Sequence, residues 1–227
     1  NFSNNIKKYY NSIMVRSNLI IAGSNYVFDH IQKNYENLID KKKRLLVIFR
    51  GINTEYFDNS NITNTKIEKL YKLLNLNSEK FKILLPGRLT RWKGQEMFIE
   101  AINLLKKKYK KKNIQIIILG SHQGRKVYFK KLISLVDKYG IKKDVHFLEH
   151  YNEMPVVYYI SDLVVSSSIE PEAFGRISVE AQAMRKPILA SNHGGSKETI
   201  LNGKSGFLFD NNNPDSLAEN LNKLIEM

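Results

Sequence analysis

Residues 166–183, with the sequence SSSIEPEAFGRISVEAQA, lead from an apolar run into a segment of helical character. The run at 163–165 is Leu-Val-Val, which is typical of a buried strand. If the helix starts at Phe174, Glu180 lies about two turns inside it, and Glu172 lies in the loop ahead of its N-terminus. The stretch therefore predicts a strand, a loop and a helix, as in an α/β fold.

The two glutamates of this stretch indicate the kind of ligand that the loop could hold. A helix N-terminus carries unpaired N–H groups and a partial positive charge, which favour a phosphate. An ionised carboxylate only accepts hydrogen bonds, so Glu172 and Glu180 are suited to hydroxyl groups. The arrangement suggests a ligand with phosphate in the middle and hydroxyl-rich groups at both ends, a description that a nucleotide-sugar fits.

Strands and helices alternate along the rest of the chain. Further helices are indicated by apolar residues spaced i, i+3, i+4 and i+7 around residues 98–105 and 129–136, and the last by Asn213 as N-cap before Pro214. Near-continuous apolar strands predict a parallel sheet covered on both faces, a Rossmann-like, doubly wound α/β fold over 66–227. The polar stretch 58–65 is predicted to be a linker. Strands are predicted at 19–22, 45–49, 81–86, 114–119, 145–148, 163–165, 188–190 and 207–209, with shorter helices at 25–35 and 154–160.

In such sheets ligands bind beyond the carboxyl ends of the strands, where two loops stand out. The loop at 87–94, GRLTRWKG, places the cations Arg88 and Lys93 where they could stabilise charge on a departing diphosphate, although an exposed basic turn has the same composition. The loop with His193, Gly194 and Gly195 could equally serve only tight packing. No histidine and carboxylate residues have the spacing of metal ligands, so no metal is expected.

The overall charge and composition restrict the kinds of partner and site that this protein could have. A net charge of +14, from 36 basic and 22 acidic residues, predicts either attraction to an anionic partner or simply a solvated basic surface. The aromatic residues are not interleaved with the lysines, which argues against a nucleic-acid partner. The absence of cysteine excludes disulfides and thiolate metal sites. No apolar run is long enough to span a membrane.

Several short motifs follow one another along the chain: Gly87-Arg88, Lys93-Gly94, Ile118-Leu119-Gly120, Val145-x-Phe147, Glu172-x-Phe174-Gly175, Glu180-Ala181, Gly194-Gly195-x-x-Glu198 and Gly203-x-x-Gly206. In this order and spacing they resemble glycosyltransferase family 4, whose members are retaining enzymes of the GT-B fold. The wording GRLTRWKGQE and PEAFGRISVEAQAM resembles a bacterial branch that assembles cell-surface polysaccharide or lipopolysaccharide.

The resemblance implies a role for each matched residue. The expected catalytic residues are Arg88 and Lys93, which would bind the donor diphosphate and stabilise it as it leaves, and Glu172, which would contact hydroxyl groups of the donor sugar. Glu180 would accept hydrogen bonds from the ribose. The base would lie near residues 148–150, and backbone N–H groups at 174–176 would help to hold sugar and phosphate. The remaining expected donor-binding residues are Gly87, Leu148, His150, Phe174, Gly175 and Arg176.

The resemblance also implies the context of the chain. Residues 1–57 would be the tail of an N-terminal, acceptor-side Rossmann-like domain, and the chain alone would bind a UDP- or GDP-linked sugar but transfer it poorly. No cofactor or metal is expected. The acceptor would be a cell-envelope glycan or lipid, reached in the cytoplasm, with possible peripheral contact to the anionic inner membrane. The alternatives are a GT-B epimerase or phosphorylase and a non-enzymatic basic domain that docks on membrane or nucleic acid.

One position departs from the family pattern. The family usually has glycine where Arg185 stands, directly before Lys186 and Pro187. Glycine there suits a helix end in the left-handed region. Arginine must either accept modest backbone strain or end the helix differently.

Overall fold

The first part of the chain forms a small parallel α/β unit. The computed structural model describes residues 4–39 and 44–227. The strand predicted at 45–49 is wrong in its bounds, because pairing begins at Arg44 and ends at Val47. The elements of this unit are α1 (Asn4–Asn11), β1 (Leu19–Ala22), α2 (Asn25–Tyr35) and β2 (Arg44–Val47), with β1 and β2 paired in parallel.

The rest of the chain builds one parallel sheet, so the predicted doubly wound α/β class is confirmed. Its strands are β3 (Phe81–Pro86), β4 (Ile114–Leu119), β5 (Val145–Leu148), β6 (Leu163–Ser166), β7 (Ile188–Ser191) and β8 (Phe207–Phe209). Their order across the sheet is β5-β4-β3-β6-β7-β8, and every adjacent pair is parallel. The helices are α3 (Asn64–Leu74), α4 (Gln95–Lys108), α5 (Lys126–Lys138), α6 (Met154–Ile160), α7 (Arg176–Ala183), α8 (Ser196–Thr199) and α9 (Pro214–Glu226).

Both faces of this sheet are covered, because successive residues of a strand point to opposite sides. In β3, Ile83 and Leu85 pack in the apolar cluster that includes α4, α5 and α9, whereas Leu84 packs in the cluster that includes α3, α6 and α7. All three side chains are buried. Burial on both faces is why the central strands read as nearly continuous apolar runs, interrupted by Lys82 in β3 and Gln115 in β4.

Two features of the helices differ from the sequence predictions. Helix α3 was not predicted; it begins at Asn64, inside the stretch predicted as a linker, and packs on α6 through Leu70 and Leu74. Helix α7 begins at Arg176 rather than at Phe174, since Gly175 has a φ of 86°, a left-handed conformation outside the helical range. Glu180 therefore lies about one turn inside the helix, not two.

Candidate functional site

The strand order places two loops side by side at the carboxyl edge of the sheet. Strands β3 and β6 are neighbours, yet the chain leaves β3 toward β4 on one side and leaves β6 toward β7 on the other. A sheet of this kind opens a crevice at such a reversal, and ligands bind there. The two loops that meet at this point are residues 87–94 and 167–175, which carry most of the residues singled out from the sequence.

These two loops are in direct contact. The backbone N–H of Ile169 donates to the carbonyl of Trp92 at 2.8 Å, and the Ser167 hydroxyl donates to the carbonyl of Lys93 at 3.1 Å. Gly94 has a φ of 72°, and a Cβ atom there would lie 1.9 Å from the Ser167 carbonyl oxygen. Only glycine allows this approach. The two loops are therefore fixed in position relative to each other.

Lys93 and Glu172 form an ion pair across the junction of the two loops. Lys93 Nζ lies 2.6 Å from Glu172 Oε1, and the two side chains are 13% and 10% exposed. The Ser168 hydroxyl donates to the same carboxylate oxygen at 2.5 Å. A charge-assisted bond in so sheltered a position orients both side chains. Two of the three residues predicted to be catalytic are thus brought together.

Arg88, the third of them, lies on the outer side of the same loop. Its side chain is exposed, and its guanidinium carbon lies 5.7 Å from the centre of the Trp92 ring. Lys93 Nζ lies 4.5 Å from the same ring centre. Both distances suit attraction between a cation and an aromatic ring. Trp92 therefore lies against both Arg88 and Lys93.

Glu180 is buried under this site on helix α7. Only 6% of the residue is exposed. Its Oε2 accepts a hydrogen bond from the Tyr158 hydroxyl at 2.7 Å, and its Oε1 accepts one from Arg176 Nε at 2.8 Å. Burial, and then the negative charge of Glu180, raise the pKa of Tyr158 well above its ordinary value of 10, so the phenol remains a donor. Both carboxylate oxygens therefore have a partner.

The loop with the glycine pair supports the Glu172 loop from behind. Gly195 N–H donates to the Glu172 carbonyl at 2.8 Å, and a Cβ atom at Gly195 would lie 2.5 Å from Phe174 Cα. His193 Nε2 lies 2.7 Å from the Ser168 carbonyl oxygen. The packing interpretation of this motif agrees with these contacts, which fix the backbone on either side of Phe174.

The residues predicted to lie near the base are spread along the end of β5. Leu148 is buried in the same apolar cluster as Tyr158 and Ile177, and its carbonyl accepts from Gly120 N–H at 2.9 Å. His150 is exposed, and its Nε2 lies 2.7 Å from Asn152 Oδ1. Its ring hydrogen bond is thus to a neighbour in the chain rather than to Lys93, Glu172 or Glu180.

A broad cavity of about 1080 Å³ adjoins the site without including it. Its walls come from the start of α4, the loop before α5 and the start of α9. None of the ten residues predicted from the sequence lines it. We place the candidate site at the ion pair of Lys93 and Glu172, because both side chains are sheltered and lie where the strand order reverses. Cavity residues beside the site include Trp92, Gly94 and Ile169.

Two further properties concern only residues 4–39 and 44–227. In these ranges no three histidine or carboxylate side chains come together in a way that could hold a metal ion. No helix within them is both long and apolar enough to cross a bilayer.

Two residues of the site were not predicted from the sequence. Tyr158 donates a hydrogen bond to Glu180, and Ser168 donates one to Glu172. Tyr158 lies in an apolar helix where an aromatic residue is typical of the core, and its partner is 22 residues away. Ser168 lies four residues before Glu172, and a local pairing of this kind could have been inferred.

Comparison with known proteins gives a consistent result. The family described as "Glycosyl transferases group 1" matches residues 66–227. A curated relative, the D-inositol 3-phosphate glycosyltransferase of Corynebacterium urealyticum, is 27% identical over 216 residues, which are 94% of this chain and 50% of the relative. The chain thus spans about half the length of the curated relatives it matches.

Solved structures resemble the chain over its whole length. A glycosyltransferase from Rickettsia africae ESF-5 is 36% identical with a TM-score of 0.86, covering 100% of this chain and 58% of that one. The Anabaena protein Alr3699/HepE, solved with UDP and glucose, is 27% identical with a TM-score of 0.84, covering 99% of this chain and 58% of that one. The predicted GT-B type of fold is thereby confirmed for this part of the protein.

Proposed function

This chain belongs to the group 1 glycosyl transferases, and on that premise we propose that its larger domain binds the nucleotide-sugar donor of a sugar-transfer reaction. The observation that carries the proposal is the ion pair between Lys93 and Glu172, which joins a cation and a hydroxyl-binding group at the reversal point of the sheet. A donor has a diphosphate next to a sugar, so adjacent groups of these two kinds match its chemistry.

The proposed donor lies along the carboxyl edge of the sheet. Arg88 and Lys93 bind the diphosphate, and their positive charge stabilises the nucleotide as it leaves. Glu172 accepts hydrogen bonds from the donor sugar, and Glu180 accepts them from the ribose. Backbone groups at 174–176 lie at the N-terminus of α7, where unpaired N–H groups favour a phosphate. The base lies near Leu148 and His150.

We infer a retaining transfer of a hexose in which no metal ion takes part. Arg88 and Lys93 supply the positive charge that a departing diphosphate needs. The leaving phosphate itself takes the acceptor proton on the same face of the sugar. This inference rests on the family resemblance together with the position of Lys93 and Arg88 in one loop.

The N-terminal unit is proposed to be part of an acceptor-side domain. Residues 1–57 would belong to that domain, 58–65 to a linker and 66–227 to the donor domain. Parallel strands are normally covered on both faces, yet Leu19, Ile21 and Leu46 are 48%, 54% and 42% exposed. This apolar face supports packing against further structure in the whole protein. We expect residues 1–227 alone to bind donor but to transfer sugar poorly.

The acceptor is proposed to be a cell-envelope glycan or lipid. Support comes from the wording of the two longest motifs, which resembles the branch that assembles surface polysaccharide. The net charge of +14 would favour peripheral contact with an anionic membrane surface on the cytoplasmic side. These parts of the proposal concern the whole protein.

Titration of the chain with UDP, GDP and ADP tests donor binding. Trp92 is the only tryptophan, and its ring contacts Lys93, so its fluorescence reports on the diphosphate position. We expect saturable binding of one nucleotide, with UDP tested first because HepE was solved with it. Glu180→Gln should weaken that binding by about 1–3 kcal/mol, since a charged acceptor is lost.

A matched control separates this site from simple attraction to a basic surface. Glu170→Gln makes the same chemical change at an exposed position in the 167–175 loop, and it should leave the affinity unchanged. If anions bound only through the net positive charge, both substitutions would strengthen binding slightly and all three nucleotides would bind alike. No response to any of the nucleotides would contradict the proposal.

A further inference from the structure

Tyr158 is the only side chain apart from Arg176 that donates a hydrogen bond to Glu180 within the described ranges. It lies on α6, is fully buried, and its hydroxyl is 2.7 Å from Glu180 Oε2. The rest of its surroundings are apolar, with the edge of the Phe57 ring packed against it at 5.9 Å between ring centres. The phenol therefore points its one polar atom at the carboxylate.

We propose that Tyr158 is a positioning residue for Glu180: it holds Oε2 in the interior so that Oε1 faces the site and remains available to the ribose. This inference rests on the proposed function, because it assumes that Glu180 binds a nucleotide. It adds a residue in the core that acts on the ligand only through Glu180.

The two oxygens of Glu180 have partners of different character. Tyr158 is buried and neutral, so its hydrogen bond to Oε2 has no water to compete with it. The side chain of Arg176, which bonds Oε1, is 76% exposed. The Glu180 side chain is only 7% exposed, yet the guanidinium end of the pair lies at the surface, where another hydrogen-bond donor can replace it at Oε1. One oxygen is therefore fixed, and the other can exchange its partner.

Because the hydrogen-bond partner of Glu180 Oε1 can exchange, Arg176 takes part in nucleotide binding. In the free chain its guanidinium satisfies the buried carboxylate, which would otherwise lose its hydration without compensation. A ribose hydroxyl can replace it, since it too donates a hydrogen bond. Arg176 is then released toward solvent and the neighbouring phosphate position, at the N-terminus of α7.

The test compares the tightest-binding nucleoside diphosphate with its 2′,3′-dideoxy analogue, which lacks both ribose hydroxyls. For the wild-type chain we expect the ribonucleotide to bind more tightly. Tyr158→Phe keeps the ring, so the fold should persist, but Glu180 is no longer fixed. We expect the ribonucleotide affinity to fall about tenfold, as for a lost buried hydrogen bond, while the affinity of the dideoxy analogue stays the same.

The control is Tyr159→Phe, on the same helix. Tyr159 is 38% exposed, and it should affect neither ligand. A purely structural role for Tyr158 would weaken both ligands by the same factor, and that result would overturn the proposal. An unchanged preference for the ribonucleotide in Tyr158→Phe would also overturn it.

A second variant covers the case in which Tyr158→Phe does not fold. Arg176→Ala alters an exposed side chain and removes the competitor for Oε1. Any contact that Arg176 makes with phosphate affects both ligands alike, so only the preference matters. We expect the preference for the ribonucleotide to rise up to about fivefold; an unchanged preference would contradict the exchange at Oε1.

The wild-type result separates this inference from the proposed function. Binding of neither nucleotide would reject the donor site itself, and the role of Tyr158 with it. Equal binding of the two would reject the ribose contact of Glu180 but leave the diphosphate site. A ribonucleotide preference that Tyr158→Phe does not alter would reject the role of Tyr158 alone.

Discussion

Glu198 caps helix α2 through Asn25, a residue 173 positions earlier in the chain. Glu198 Oε2 accepts hydrogen bonds from both the backbone N–H and the side-chain amide of Asn25, each at 2.8 Å. Its Oε1 accepts from the backbone N–H of Tyr26 at 2.6 Å. A carboxylate at a helix N-terminus both satisfies unpaired N–H groups and meets the positive end of the dipole. The N-terminal unit is thereby tied to helix α8, which follows the glycine pair behind the candidate site.

Removal of this cap should loosen the N-terminal unit from the sheet domain. Glu198→Gln takes away the negative charge that accepts three hydrogen bonds. We expect the free energy of unfolding to fall by about 1–2 kcal/mol, because charged hydrogen bonds and the interaction with the helix dipole are lost, while Ser24 remains as the N-cap residue. Urea unfolding measures the loss, and hydrogen exchange at the Asn25 and Tyr26 amides should become faster.

The control for this prediction is Glu36→Gln, an exposed carboxylate just after the same helix. It should change the free energy of unfolding by less than about 0.5 kcal/mol, as most surface substitutions do. Equal effects of the two substitutions would show that the contact between Glu198 and α2 does not contribute to stability.

The core strands could be predicted from the sequence because their signal is local. Strands β3, β4 and β5 have the bounds that the apolar runs predict. Strands β3 and β4 are buried along almost their whole length, whereas in β5, at the edge of the sheet, His146 and Phe147 are only partly buried. Helix α3 carries the helical spacing i, i+3, i+4 and i+7 in Ile67, Leu70, Tyr71 and Leu74, so its signal was present but was overlooked beside the polar stretch that precedes it. Burial of these residues depends on α6, which lies 80 residues further along the chain.

The residues of the candidate site could be predicted where short motifs mark them, but the contacts between them could not. Lys93 and Glu172 each stand out in a loop, but their contact depends on the strand order, which reverses between β3 and β6. The contact of Tyr158 with Glu180 joins two different helices and has no pattern in either. The start of α7 was misplaced because Gly175, which lies between Phe174 and Arg176, adopts a left-handed conformation that the sequence alone did not reveal.

Replacement of Arg185 by glycine should stabilise the protein. Of the two alternatives for this position, the structure shows the strained one: Arg185 has a φ of 54°. Its N–H bonds the Gln182 carbonyl at 2.9 Å, and Lys186 N–H bonds the Ala181 carbonyl at 2.8 Å, a left-handed cap of α7. A side chain in this conformation costs about 1–2 kcal/mol. The greater freedom of glycine in the unfolded chain offsets part of that, so we expect a gain of roughly 0.5–1 kcal/mol.

Arg185→Ala is the comparison that isolates the backbone effect. Alanine removes the charge and the long side chain but keeps the Cβ atom that causes the strain. The glycine variant should therefore exceed the alanine variant by about 1 kcal/mol in the free energy of unfolding measured in urea. Similar values for both would mean that the left-handed conformation is not strained at this site.

Asp144 should make the stability of the sheet domain depend on acid pH. Its carboxylate pairs with Lys80 Nζ at 3.0 Å and with Lys106 Nζ, next to the start of β5. Burial alone would raise the pKa of Asp144, but the hydrogen bonds and charges of Lys106 and Lys80 outweigh it and lower the pKa below its ordinary 3.8. The folded state then binds the proton less tightly than the unfolded state.

The sign of the effect follows from that lowered pKa. The contribution of Asp144 is fully present above the pKa of the unfolded chain, and it is lost as the pH falls through the lower pKa of the folded state. Asp144→Asn should therefore reduce the free energy of unfolding by about 1–3 kcal/mol at pH 7, because both lysines lose their partner. This deficit should shrink below pH 4, where the wild-type protein itself begins to lose the contribution.

Urea unfolding at pH 7, 5 and 3.5 measures the deficit, with the exposed Asp210→Asn as control. A deficit that stays constant down to pH 3.5 and below would show that the substitution acts through packing rather than through the ion pairs.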